Sequence, residues 1–227
     1  MLSVGLNAAP LLAPRTGVGR YILGLAGGLE RIAGSSPERE FELRALFAPR
    51  TIFTDPAPAP NARPSKLGRV RALVKALPAA YELADLARGA LLAAEPGLDV
   101  FHETNHAPPL TRRPLVLTIH DLCTILQPET QEPARARFFA KTMRARAKGA
   151  RVVITPTQAI ARQVVDVLGL EPKRVRAIHH GVDVTLSLAG AARAPVLAQH
   201  GVGGPYLLFV GAIEPRKGLP ALLDAYD

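Results

Sequence analysis

Tryptophan is absent, cysteine occurs once and aromatic residues make up 5% of the chain. Each scarcity excludes something. A single thiol makes no intramolecular disulfide and no cysteine-based zinc site. Cys123 therefore reads as a small buried hydrophobe, with a catalytic nucleophile as the alternative. So few aromatics leave no stacking platform for nucleic acid, which is not expected as a partner. No apolar run approaches the roughly 20 residues that span a bilayer. The start, Met1-Leu2-Ser3-Val4, shows no basic leader and no cleavable signal, so the cytoplasm is the expected compartment. No solenoid-type repeat is present.

Acidic residues are also in deficit. There are 19 Asp and Glu against 28 Lys and Arg, a net charge of +9. That excess by itself favours anionic partners: nucleotides, phosphates, a membrane surface or nucleic acid. What is abundant is apolar: 48% of 227 residues. This suffices for one large core, or for one domain and part of another.

Leu2 to Asn7 is a short apolar run, read as a first buried strand. A loop follows to Gly17. Val18, Tyr21, Ile22, Leu25, Leu29 and Ile32 then recur at helical spacing, predicting an amphipathic helix over 18–33. Residues 41–48 alternate as a second strand, with Phe41, Leu43, Ala45 and Phe47 on one face. Five prolines between Pro49 and Pro64 make a loop. A helix is predicted over 66–94, with a break near Pro78. Further strands are predicted at 98–102, 115–119, 151–155 and 175–178, with helices at 133–148 and 158–168 between them. Such alternation points to an α/β, Rossmann-like parallel sheet covered on both faces. Ligands of such sheets bind beyond the strands' carboxyl ends, which directs attention to the residues there.

The expected organisation is a domain over 1–187, a Gly, Ala and Pro-rich linker over 188–205, and the start of a second domain over 206–227. That start reads as a buried strand, Tyr206 to Val210, then a helix with Leu219, Leu222, Leu223 and Tyr226 on one face. One strand and one helix cannot bury a core, so the second domain reads as truncated.

The strongest motif joins these last two elements: Leu208-Phe209-Val210-Gly211-Ala212-Ile213-Glu214-Pro215-Arg216-Lys217-Gly218. Arg216 and Lys217 set two cations beside a helix start, itself an anion site, and this suits a diphosphate. Two exposed cations in a turn remain the alternative. Gly17-Val18-Gly19-Arg20 opens the first helix; its third fingerprint position is Ile22, which argues against a dinucleotide site. Thr118-Ile119-His120-Asp121 ends a strand, where an imidazole can hydrogen-bond a sugar hydroxyl. Asp121 as a turn cap is the alternative there. Phe101-His102-Glu103-Thr104-Asn105-His106 ends another strand. His102, Glu103 and His106 lack a convincing zinc-ligand spacing, so no metal is expected. Thr157 is placed as a helix N-cap.

Taken in order, these segments resemble the family 4 retaining glycosyltransferases of the GT-B fold. The resemblance runs along the chain and includes Arg176 to Asp183, where His180 stands in place of a common Asn. It implies the N-terminal half of a GT-B fold plus the first strand and helix of a second Rossmann-like domain. It implies that Arg216 and Lys217, with Gly17 and Gly19, bind the diphosphate of a nucleotide-sugar donor. His120 and Asp121 are implied at the catalytic centre, with His120 on the donor sugar. Arg20, His102, Glu103 and Asn105 are implied on the acceptor side. The implied reaction moves a hexose, mannose from GDP-mannose, to a glycan or lipid-linked acceptor, without a metal or other cofactor. The family's paired-glutamate motif does not occur in this sequence.

Other GT-B enzymes, a sugar-nucleotide epimerase or a glycan phosphorylase, are rival readings. A basic membrane-surface module is another. Lys66, Arg69, Arg71 and Lys75 form one basic amphipathic stretch. Arg135, Arg137, Lys141, Arg144, Arg146 and Lys148 load a second. Either would suit peripheral contact with an anionic inner membrane face, though a solvated face explains them as well.

Overall fold

The computed structural model describes residues 1–12, 16–35, 40–53, 80–105, 108–182, 193–211 and 213–226. The basic stretch from Lys66 to Lys75, the break near Pro78 and His106 lie outside the described residues.

Six parallel strands form one sheet: β1 (Leu2–Asn7), β2 (Phe41–Leu46), β3 (Val100–Glu103), β4 (Leu115–Thr118), β5 (Val152–Thr155) and β6 (Val175–Ala177). Their spatial order is β2-β1-β3-β4-β5-β6. The order reverses between β1 and β3, and a doubly wound sheet opens a crevice at such a switch point. The helices of this part are α1 (Gly17–Ser35), α2 (Ala80–Ala94), α3 (Cys123–Leu126), α4 (Pro133–Gly149) and α5 (Gln158–Leu168).

Two hydrophobic clusters follow from the period-2 geometry of the strands. The larger holds Phe101, Leu115, Leu117 and Val153, packed with Leu92 of α2, Phe138, Phe139 and Met143 of α4, and Val164 and Leu168 of α5. The smaller joins Ala8, Leu11 and Ala45 to Ile22 of α1. Phe101 is fully buried. His102 and Thr118 alternate away from the larger cluster, whereas Glu103 shares the Phe101 face.

Local signals set the element ends. Thr157 caps α5, its Oγ1 accepting from the Ile160 amide at 3.2 Å. Gly169 closes that helix with φ 65°, the left-handed conformation glycine adopts freely. Glu132 caps α4 by accepting from the Ala134 and Arg135 amides. Much of the positive load of α4 is used internally. Arg146 donates to Asp85 at 2.5 Å, Arg144 to the Val167 carbonyl at 2.8 Å, and Arg135 lies over the Phe139 ring.

Three expectations change. Phe47 does not continue the alternation of Ala45: its φ of 61° ends the strand, and the ring turns into the larger cluster against Phe101. Cys123 is half-buried at the start of α3. Tyr206 to Val210 is not a strand, and Leu207, Leu208 and Val210 are exposed. A strand is held by hydrogen bonds to neighbouring strands, and among the described residues none pairs with this segment.

The chain divides into compact units Met1–His180 and Gly181–Asp227. Within the second, α6 (Arg193–Gln199) occupies part of the expected linker, and α7 (Leu219–Asp224) is the expected terminal helix. Among the described residues, no helix is long and apolar enough to cross a membrane.

Candidate functional site

The carboxyl ends of β1, β3 and β4 bring together the polar residues of the first unit. On the α1 face, Thr118 Oγ1 lies 2.8 Å from His102 Nε2 and 3.0 Å from the Tyr21 hydroxyl. The Tyr21 ring in turn packs edge-on against His120, centroids 4.9 Å apart, and against His180 at 4.8 Å.

The tautomers of the outer pair follow from their partners. His120 Nε2 lies 3.0 Å from the Thr104 carbonyl, which only accepts, so Nε2 carries the proton. In the neutral ring Nδ1 is then an acceptor. It faces His180 Nε2 at 3.3 Å, so His180 donates to it. Both nitrogens of His120 are engaged.

All three rings favour the neutral form. Burial lowers His102 to about 4, with the nearby His120 adding to the shift. Burial also lowers His120; its bond to Thr104 and the Asp121 charge oppose this, and His180 reinforces it. Burial lowers His180. Burial raises the Tyr21 phenol, against its bond to Thr118.

On the opposite face sits a buried carboxylate. Glu103 Oε1 accepts from Asn7 Nδ2 at 2.5 Å and from the Asn105 amide at 3.0 Å. Its Oε2 accepts from Arg88 of α2 at 2.5 Å. Burial pushes the carboxyl upward; Arg88, then the Asn7 and Asn105 donors, draw it back. The two faces join through Thr104, whose hydroxyl donates to the Asn7 carbonyl at 2.6 Å. A cleft of about 200 Å³ opens beside this network, with Arg88, Asn105, Arg135 and Phe138 among its walls.

The structure thus sorts the residues singled out in the sequence. His120 stands among the converging side chains. Asp121 is half-buried, and its Oδ1 accepts from the Cys123 amide at 3.0 Å, a turn-capping contact. His102 and Glu103 lie under the surface, 5% and 0% exposed, so they support the site from below while Asn105 faces the cleft. Thr16 caps α1: its carbonyl accepts from the Arg20 amide at 3.0 Å and its Oγ1 from Gly19 at 3.4 Å. Arg20 is exposed in that first turn. A Cβ at Gly17 would meet nothing within 4 Å, and one at Gly19 only Leu11 at 3.6 Å. Packing therefore does not demand these glycines; Gly17 is exposed and leaves the helix start open to close approach, whereas Gly19 is buried.

In the second unit, Arg216 and Lys217 form a 3-10 turn, Pro215–Lys217, ahead of Gly218 at φ 66°. Arg216 Nε donates to Glu214 at 2.7 Å, so its charge is partly met locally. Tyr21, Thr118, Asn7 and Arg88 were not singled out from sequence. Asn7 carried a signal, a polar residue closing an apolar strand. Arg88, inside a helix, carried none.

A Rossmann-like parallel sheet with its polar residues at the strands' carboxyl ends is the half-fold of GT-B glycosyltransferases. The chain belongs to Glycosyltransferase Family 4, whose family model matches residues 15–186. It is 27% identical over 96% of its length to O-antigen chain mannosyltransferase B of Escherichia coli, covering 58% of that protein. Over 46% of its length it is 33% identical to D-inositol 3-phosphate glycosyltransferase of Acidothermus cellulolyticus, covering 24% of it. The chain therefore spans little more than half the length of the first of these relatives. Among solved structures, Anabaena HepE in complex with UDP and glucose aligns over 100% of this chain and 57% of its own, with a TM-score of 0.53 at 18% identity. Its UDP-glucose complex gives 0.51 at 19%. At such identities the likeness shows the fold.

Proposed function

We propose that the protein is a retaining glycosyltransferase of glycan biosynthesis that moves mannose from GDP-mannose to a glycan or lipid-linked acceptor. The observation that carries this reading is the alignment, along 96% of the chain, with a mannosyltransferase of O-antigen synthesis. HepE, solved with UDP and glucose, supports a nucleotide-sugar donor. Family membership favours transfer over epimerisation or phosphorolysis.

In the proposed reaction the bond between the sugar's anomeric carbon and the diphosphate breaks. The acceptor oxygen bonds that carbon on the same face, and its proton passes to the departing diphosphate. Arg216 and Lys217 hold the charge that develops there, with amides at the start of α1. A sugar hydroxyl donates to His120 Nδ1, replacing His180 Nε2. The neutral state of His120 suits that acceptor role. Asn105 and the cleft beside Glu103 face the acceptor. No metal is required, because the two cations and the amides do the charge stabilisation. The protein works in the cytoplasm, at the inner face of the membrane when the acceptor is lipid-linked.

The test is release of GDP from GDP-mannose by the full-length protein, with a mannosylated lipid-linked or glycan acceptor as product. Arg216→Ala with Lys217→Ala is expected to lower kcat by about 100-fold or more. Release of UDP but never GDP would overturn the mannosyl assignment. No nucleotide release from any nucleotide sugar and acceptor would overturn transfer itself.

A further inference from the structure

A second concavity lies at the other end of the sheet, at the amino ends of β4 and β5. It encloses about 580 Å³, and Thr111, Arg112, Arg113, Gly149, Arg151 and Arg174 are among its lining residues. Four arginines thus converge from the segment before β4, the turn between α4 and β5, and the approach to β6. Among the described residues no carboxylate lines the cleft.

Two of the four are structural. Arg113 donates to the carbonyls of Leu92 at 3.0 Å, Leu98 at 2.6 Å and Ala93 at 3.4 Å, and also to that of Glu95. Arg174 donates to the Lys148 carbonyl at 2.7 Å and to that of Ala150. These bonds close the C-terminal ends of α2 and α4, where cations are favoured. They also fix the two guanidinium groups, and because the acceptors are uncharged carbonyls each keeps its full charge. The acids nearby are already engaged. Glu95 pairs with Arg44, and Glu171, which also feels Arg174, pairs with Lys173 at 2.9 Å.

Arg112 and Arg151 differ from that pair. Both are exposed, and among the described residues no side chain or carbonyl bonds to either guanidinium. Thr111 Oγ1 accepts from the Arg113 amide at 3.1 Å, which leaves its hydroxyl proton to be donated. Two fixed positive charges, two unpaired planar forks and one hydroxyl donor make a polydentate anion site. Guanidinium forks match the oxygens of a phosphate in geometry as well as charge.

We propose that this cleft binds a phosphate group, as the headgroup of an anionic lipid or as a free phosphate or diphosphate, at the end of the sheet opposite His120. It shares no residue with the proposed donor-binding set, and the proposal stands whether or not the sugar assignment holds.

The experiment uses the full chain carrying Arg216→Ala and Lys217→Ala, so that the proposed donor site does not contribute. Pyrophosphate binding is measured by calorimetry at low ionic strength. Co-sedimentation is measured with phosphatidylcholine vesicles, alone and mixed three to one with phosphatidylglycerol. Arg112→Ala with Arg151→Ala is added, against Arg31→Ala with Arg162→Ala as a charge-matched control outside the cleft. Both pairs are exposed, so each variant is expected to melt as its parent does. A drop of about tenfold or more in pyrophosphate affinity for the cleft variant alone marks a soluble phosphate ligand. A comparable drop confined to the phosphatidylglycerol vesicles marks a lipid headgroup. If the cleft variant and the control behave alike in both arms, the proposal is overturned.

Discussion

His102 makes the stability of the first unit depend on pH in a way that can be calculated. Its ring is 5% exposed and bonded to Thr118, and burial lowers its pKa from 6.5 to about 4. The unfolded chain binds a proton near pH 6.5, whereas the native chain resists it until about pH 4. Falling pH therefore favours the unfolded state across that window, and stability is lost as pH drops. At a pH of about 5 the unfolded ring is about 30 times more favoured by protonation than the native one, a cost of about 2 kcal/mol. At a pH of about 7.5 the cost is close to zero. His120 and His180, also lowered, push in the same direction, and the raised Glu103 pushes against them. The His102 contribution must therefore be read as a difference between two chains.

His102→Gln supplies that difference. The Gln amide nitrogen reaches the position of the ring Nε2 and keeps a partner for Thr118, but it does not titrate. Urea unfolding of both chains at pH values of about 7.5 and 5 gives four stabilities. The original chain is expected to lose about 2 kcal/mol more than the variant between the two pH values, even if the variant starts out less stable. Equal losses would refute the burial argument. They would mean that the native ring takes up its proton as readily as a free one.

Two further perturbations probe the neighbouring network. Arg88→Met keeps an apolar stem beside Phe47 but removes the cation that meets the fully buried Glu103; a loss of about 3 kcal/mol is expected in urea unfolding at neutral pH. Adding Glu103→Gln to that variant should restore part of the loss, because no buried charge then remains. Tyr21→Phe removes only the hydroxyl at Thr118 while the ring stays against His120 and His180; about 1 kcal/mol is expected, measured the same way.

What was legible in the sequence was local. The described strands and long helices between Leu2 and Ala177 follow from short apolar runs and from periods of two and 3.6, and Thr157 marks the start of α5 as its side chain dictates. The rule that ligands gather at strand carboxyl ends led to His120 and Asn105. Local pattern does not say what a residue will meet across the fold. Asn7 and Glu103 are 96 positions apart, and Tyr21 and Thr118 are 97 apart. Those pairings made His102 and Glu103 supports beneath the surface instead of contacts upon it. They also turned Tyr21, which read as one more apolar position of an amphipathic helix, into the residue that packs two histidines together. The segment Tyr206 to Val210 shows the same limit from the other side. Its apolar run has the composition of a buried strand, and Leu2 to Asn7 has little more. Leu2 to Asn7 is a strand because β2 and β3 accept and donate its backbone hydrogen bonds. Among the described residues no strand pairs with Tyr206 to Val210. A strand signal in a sequence therefore states a capacity to pair, and the partners decide whether it is used.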